Sequence, residues 1–182
     1  MPDVTVLVVL AEGFEEIEAV TPIDLLRRAG ARVTTAALGP GIHVTGRSGI
    51  TLHADSPLAS VEATPFDCIL LPGGPAVSVL RADPRVASLL RLQHAAGRWV
   101  AAICAAPVVL KDAGILEGHR YTAHFSVAGE LTQIIADQRV VTDRHVITSR
   151  GAGTALEFGI ALVTALFSNE AALSLELAIC AG

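Results

Sequence analysis

Residues 4–10, Val-Thr-Val-Leu-Val-Val-Leu, are apolar at every position but Thr5 and rich in β-branched side chains. A strand of this kind has no wet face, so it predicts a parallel sheet covered by helices on both sides. The residues that follow support this. Residues 15–29 read as a helix, with Glu15, Glu16 and Glu18 in its first turn and Arg27 and Arg28 in its last, complementing the helix dipole. Gly30 is placed to end it. Further strands are expected over residues 31–38, 66–71, 99–103, 120–123, 139–142 and 146–149, with a hairpin built from 42–45 and 50–52. Asp83-Pro84 is a cap followed by proline at the first helical position and opens a helix to residue 96. Helices are also expected over 105–112, 154–167 (with Thr154 and Glu157 as a capping box) and 170–179. Strands alternating with helices define an α/β fold, a mostly parallel sheet between helical layers.

The 182 residues show no compositional break, which predicts a single domain over 1–182. Hydrophobic residues make up 52% and aromatics only 4%, so the core must be packed with aliphatic side chains. A net charge of −5 leaves no basic footprint for nucleic acid. No apolar run approaches the roughly 18–20 residues that span a bilayer. The first apolar run lacks a positive flank and is followed by Glu12 and Glu15, which fits a strand and not a signal peptide. Cys68, Cys104 and Cys180 are odd in number and widely spaced, so neither a disulfide framework nor a zinc site is expected. The expected compartment is reducing and cytoplasmic.

Ligands of open α/β sheets sit at the carboxyl ends of the strands, which directs attention to the residues after Leu10, Leu71, Ile103 and Ala123. Cys104 lies where a strand meets a helix, among small neighbours that permit a tight elbow. A helix N-terminus favours the thiolate, moving a thiol pKa from about 8.5 into the range of about 3.5–7.5. The alternative is a small core residue at a packed junction. Glu18 lies one turn into the first helix, and Pro22 removes the donor for its carbonyl, marking an irregular turn; the alternative is a solvated first-turn carboxylate. Gly73-Gly74 ends a strand and either offers N–H groups to an oxyanion or simply makes a turn. His124 follows a predicted strand at the ligand edge, although single histidines are commonly structural. Neither GxGxxG nor GxxxxGK[ST] occurs, so nucleotide binding has no motif.

Four blocks together resemble the ThiJ/PfpI superfamily, in the branch of the parkinsonism-associated protein deglycase. They are the segments 10–18 (LAEGFEEIE), 71–74 (LPGG), 101–107 (AAICAAP) and 148–154 (TSRGAGT), in the family's order and spacing. The resemblance covers nearly the whole chain. It implies a flavodoxin-like three-layer sandwich that forms a homodimer and needs no cofactor. It implies Cys104 as nucleophile, Glu18 hydrogen-bonded to its sulfur and holding a proton, and Gly74 and Ala105 N–H groups lining the pocket. It places His124 in the pocket, and Arg28 and Arg47 as anion-binding residues. Two departures stand out. Ala105 occupies the position where protease-like and amidase-like branches carry histidine, which argues against a Cys–His peptidase dyad. Ala152 occupies a position that is proline in close relatives.

The resemblance implies an enzyme acting on small reactive dicarbonyls such as methylglyoxal and glyoxal, or on their adducts, giving 2-hydroxy acids without glutathione or metal. An alternative is a non-catalytic redox sensor or stress chaperone working through oxidation of Cys104. A third reading is a hydrolase or amidase of the wider superfamily.

Overall fold

The computed structural model describes residues 3–181. The strands are β1 (Thr5–Leu10), β2 (Arg32–Ala37), β3 (His43–Thr45), β4 (Thr51–His53), β5 (Ser56–Pro57), β6 (Cys68–Leu71), β7 (Trp99–Ile103), β8 (Val140–Asp143) and β9 (Val146–Ser149). Seven of them form one sheet in the order β5-β2-β1-β6-β7-β9-β8, while β3 and β4 make a separate hairpin. Every neighbouring pair in the large sheet is parallel except β8 with β9. The inner run β2-β1-β6-β7-β9 has the order of the flavodoxin-like doubly wound fold.

The apolar run that opens the chain becomes the central strand, with Val6 through Leu10 fully buried. Helices α1 (Glu16–Arg28), α5 (Ala155–Leu166) and α6 (Asn169–Ala178) cover one face, and α2 (Ala76–Ala82), α3 (Pro84–Ala95) and α4 (Pro107–Asp112) cover the other. α1 runs unbroken through Pro22. Its partner α5 presents Gly159 at the contact, where a Cβ would lie 3.4 Å from Pro22 Cα and collide with Leu25. Among the described residues no helix is long and apolar enough to cross a membrane.

Two local expectations are corrected, and one helix is present that was not expected. Residues 120–123 form no strand, only an isolated bridge from Tyr121 to Ile134. Both sides of β9 are already taken, by β7 and β8, so residues 120–123 find no place beside it. Thr122 satisfies itself instead through Thr148 Oγ1, at 2.9 Å from its N–H, and the carbonyls of Ile135 and Gln138. The Thr154–Glu157 capping box does not form. Thr154 Oγ1 accepts the Gly151 N–H and lies 2.6 Å from Ser149 Oγ, while Glu157 pairs with Arg139 at 2.7 Å. Finally, α2 carries no side-chain cap and is only 7 residues long, so it left no signal in the residue pattern.

The side opposite the strand ends is closed by a polar latch. Gln93 of α3 is buried, and its Nε2 donates to the carbonyls of Phe66 (3.0 Å) and Trp99 (3.1 Å), where β6 and β7 begin. Gln93→Leu removes the donor from two carbonyls and is expected to cost about 1–3 kcal/mol, read as a lower urea midpoint at unchanged m-value. An unchanged midpoint would show that the latch contributes nothing.

Candidate active site

β1 and β6 are neighbours, but the chain leaves β1 for α1 on one face and leaves β6 for α2 on the other. Backbones that part in opposite directions open a crevice at the strand ends. The segments after β1, β6 and β7 converge there and carry Glu18, Gly73-Gly74 and Cys104.

Cys104 has φ 66°, the left-handed region that side-chain-bearing residues avoid. It is clamped in this conformation. Its N–H donates to Ser149 O at 2.9 Å, its carbonyl accepts the His124 N–H at 2.8 Å, and the turn closes with Ala106 N–H on Ile103 O at 3.1 Å. The elbow turns the side chain out of the sheet into the crevice, partly exposed. The backbone N–H groups of Ala105 and Gly74 lie beside the sulfur and favour its ionised form.

Glu18 is only 1% exposed, and its Oε2 accepts the Gly73 N–H at 2.9 Å. Its carboxyl neighbours the Cys104 sulfur, and each group perturbs the ionisation of the other. Gly73 makes this meeting possible, because a Cβ there would lie 2.6 Å from Glu18 Oε2 and 2.7 Å from Cys104 Cβ. Gly74 has φ 86°, and a Cβ there would sit 2.6 Å from Gly13 O. Gly73 therefore holds the carboxyl, not an oxyanion, which leaves Gly74 and Ala105 as the donors beside sulfur.

Burial pushes the Glu18 carboxyl up from 4.5 to about 7; the neighbouring Cys104 thiol and the Gly73 N–H oppose this, and the charge of Glu15 adds to it. Burial, then the Glu18 charge, push the Cys104 thiol up to about 12. The two shifts have one origin, since adjacent groups in a desolvated crevice disfavour a second negative charge. Near neutral pH the carboxyl is part-way through its ionisation while the thiol keeps its proton. The expectation of an independently acidic thiol is corrected: α4 has 6 residues and starts at Pro107, and a buried acid leans on the sulfur. Ionisation of Cys104 is coupled to that of Glu18.

Glu15, Glu18, Arg47, Gly74, Pro75, Cys104, Ala105, His124, Ser126 and Ala152 line a cavity of about 310 Å³. His124 caps the short 3₁₀ turn Phe125–Val127. Its Nδ1 accepts the Ser126 N–H at 3.2 Å and lies 2.8 Å from Ser126 Oγ. The neutral tautomer assigned by that bond carries its proton on Nε2. Arg47 sits on the turn between β3 and β4, its N–H donating to Phe14 O at 2.8 Å. That turn hangs on Glu16, a buried residue whose Oε1 accepts the Ser48 N–H at 2.7 Å. Burial raises the Glu16 pKa, but the N–H bonds, its own and those of Ser48 and Ile50, outweigh it and the net direction is down.

Arg28 is not brought to this cavity. It ends α1, pairs with Asp24 at 2.6 Å and borders a larger groove of about 770 Å³ against α6. That groove is lined by no cysteine or histidine, whereas the smaller cavity holds both. Cys68 is fully buried and burial pushes its thiol far up, as befits an inert core residue. Glu15, the cap of α1 that accepts the Glu18 N–H at 2.8 Å, and Ser126, which orients His124, escaped sequence reasoning. Only the side-chain-to-backbone geometry reveals them.

A cysteine on a strand-to-helix elbow at a flavodoxin-like switch point, backed by a buried carboxyl, defines a class of α/β proteins with a reactive-thiol site. The DJ-1/PfpI family model matches residues 4–165, and the chain belongs to that family. It is 39% identical over 168 residues to Protein dj-1beta of Drosophila melanogaster, covering 90% of each chain. It is 38% identical over 174 residues to Protein DJ-1 homolog B of Arabidopsis thaliana, covering 94% of this chain but 40% of that longer protein. A Thermococcus kodakarensis protein named a deglycase is 30% identical over 126 residues, covering 69% of this chain and 75% of that one. The crystal structure of Drosophila melanogaster DJ-1beta superimposes with a TM-score of 0.94 at 36% identity, covering 98% of each chain.

The raised Glu18 pKa makes a stability prediction. The folded state keeps this proton to about 7 while the unfolded chain releases it at 4.5, so the contribution is present below 4.5 and lost as pH rises through 7. Glu18→Gln does not titrate. Its stability relative to the parent should rise between about pH 5 and about pH 8, by on the order of 3 kcal/mol. A difference that stays flat with pH would show that the carboxyl is not shifted.

Proposed function

We propose that the chain is a cysteine-dependent enzyme acting on small reactive dicarbonyls, such as methylglyoxal and glyoxal, or on the adducts they form. The observation that carries the proposal is the Glu18 carboxyl, held near pKa 7 against the Cys104 sulfur. An acid/base group is most effective when its pKa lies near the working pH. The deglycase name of the Thermococcus relative supports the same substrate class.

As the sulfur adds to the aldehyde carbon, the carbonyl π electrons move to oxygen. Glu18 takes the thiol proton, and the Gly74 and Ala105 N–H groups are the donors for the new oxyanion. Protonation of that oxygen gives a hemithioacetal. Glu18 then removes the proton from the former aldehyde carbon, and the enediol collapses with a proton delivered to the neighbouring carbon, leaving a thioester of a 2-hydroxy acid. Water cleaves the thioester and restores the thiol, so the net change is dicarbonyl plus water to 2-hydroxy acid. His124 has Nδ1 occupied by Ser126, so it donates from Nε2 to a substrate oxygen while Glu18 moves the protons. Arg47 and Glu15 line the mouth and select small polar substrates.

A second reading, a redox sensor, draws on the same partly exposed sulfur, since peroxide converts such a thiol to sulfenic and then sulfinic acid. A homodimer also fits. Ile17 and Val20 on α1, and Ile50 on the hairpin tied to α1 by Glu16, are about half exposed and would be covered by a second copy. Sedimentation of Val20→Glu beside the parent reads this directly, and equal masses would count against that face.

Cys104→Ser is expected to abolish conversion of methylglyoxal to lactate. Glu18→Gln should lower turnover by about 10²-fold or more while Cys104 still reacts with iodoacetamide. Full turnover by Cys104→Ser overturns the enzyme reading. Absence of turnover in the parent, with sulfinate forming at Cys104 under mild peroxide, would favour the sensor.

A further inference from the structure

We infer that Arg81 is a positioning residue of the Cys104 site, acting from outside the cavity by joining the three segments that carry the Gly74 and Ala105 N–H groups and His124. Its guanidinium grips two carboxylates. Nε and one Nη bond Asp112 at 2.6 and 3.2 Å, and both Nη atoms bond Glu130 at 3.0 and 2.8 Å. Lys111 Nζ adds a bond to the Glu130 carbonyl at 2.9 Å.

Each partner is the far end of an element whose near end lies in the cavity. Arg81 is in the last turn of α2, whose first turn is closed by Val77 N–H on Gly74 O at 3.1 Å. Asp112 ends α4, whose entry is closed by Val108 N–H on Ala105 O at 3.2 Å. Glu130 connects back to His124 through two short turns, Glu130 N–H on Val127 O at 3.0 Å and Val127 N–H on His124 O at 3.2 Å. One planar fork thus sets α2, α4 and the His124 segment relative to each other, and with them the Gly74 donor, the Ala105 donor and the imidazole. The bidentate geometry needs arginine, since an ammonium has no fork. The cluster sits at partial exposure, 33% for the Arg81 side chain, so salt should loosen it.

This inference rests on the site being catalytic, but its first test does not. The rate of Cys104 alkylation by iodoacetamide is measured against pH in the parent, Arg81→Gln, Arg81→Lys and the milder Glu130→Gln. Loosened N–H donors stabilise the thiolate less, so the alkylation midpoint should move to higher pH in Arg81→Gln, with smaller moves in the other two. Where methylglyoxal turns over, kcat/KM should fall about 10-fold in Arg81→Gln, mostly in kcat, because misplaced donors act on the transition state. Lower melting temperature with an unchanged alkylation profile in Arg81→Lys and Glu130→Gln would overturn the inference and leave a merely structural ion pair. A shifted profile with no turnover in any protein would uphold Arg81 and sink the enzyme reading instead.

Discussion

Two acidic groups occupy a crevice that tolerates one negative charge, and the rest of the site is arranged around that conflict. Glu18 arrives from α1 and Cys104 from the end of β7. They can approach only because Gly73, between them, has no side chain. The Gly73 N–H steadies the carboxyl, and the Ala105 and Gly74 N–H groups steady the sulfur. Of the two groups the carboxyl gives up its proton first and the sulfur holds on to its own. A thiol with a conventional low pKa would be reactive toward any electrophile. Here release of the sulfur is conditional on a neighbour that can accept its proton at the same moment. This suits addition to a carbonyl, where the proton must later be returned.

The sheet and its helices were legible because their signals are local. The wet-face-free run at 4–10 demanded a central strand, and Asp83-Pro84 does cap α3, with Asp83 Oδ1 accepting the Arg85 N–H at 2.9 Å. Where local signals failed, tertiary competition decided. Residues 120–123 have strand composition but lie beside β9, whose two sides are already paired, and Thr154 spends its hydroxyl on Gly151 and Ser149 before any helix cap can use it. Cys104 and Glu18 were read as a pair only through the resemblance of four sequence blocks; spacing alone left a core cysteine and a solvated carboxylate open. The coupling of their protons was beyond sequence, because it depends on how deeply the crevice buries the carboxyl. Arg28, at the last turn of α1, lies away from this cavity within the single chain, because its helix carries it to the groove beside α6.

The cavity walls differ in what holds them. The floor is backbone: N–H groups at the ends of β6 and β7. The rim is made of side chains on irregular segments, with Arg47 on a hairpin and His124 at the head of a 3₁₀ turn. Glu16 explains how an irregular rim keeps its shape, since a single buried carboxylate gathers the amides of the hairpin turn onto the first helix. The adjacent acids of that helix thus have separate tasks: Glu15 caps it, Glu16 anchors the rim and Glu18 faces the sulfur.

The left-handed backbone at Cys104 has an evolutionary corollary. A side chain in that conformation costs about 1–2 kcal/mol relative to glycine, which adopts it freely. A lineage selected for folding alone would drift toward glycine there and become sturdier as it lost its chemistry. The thiol sits against the preference of its own backbone, so the fold by itself gives no reason for a cysteine at this position.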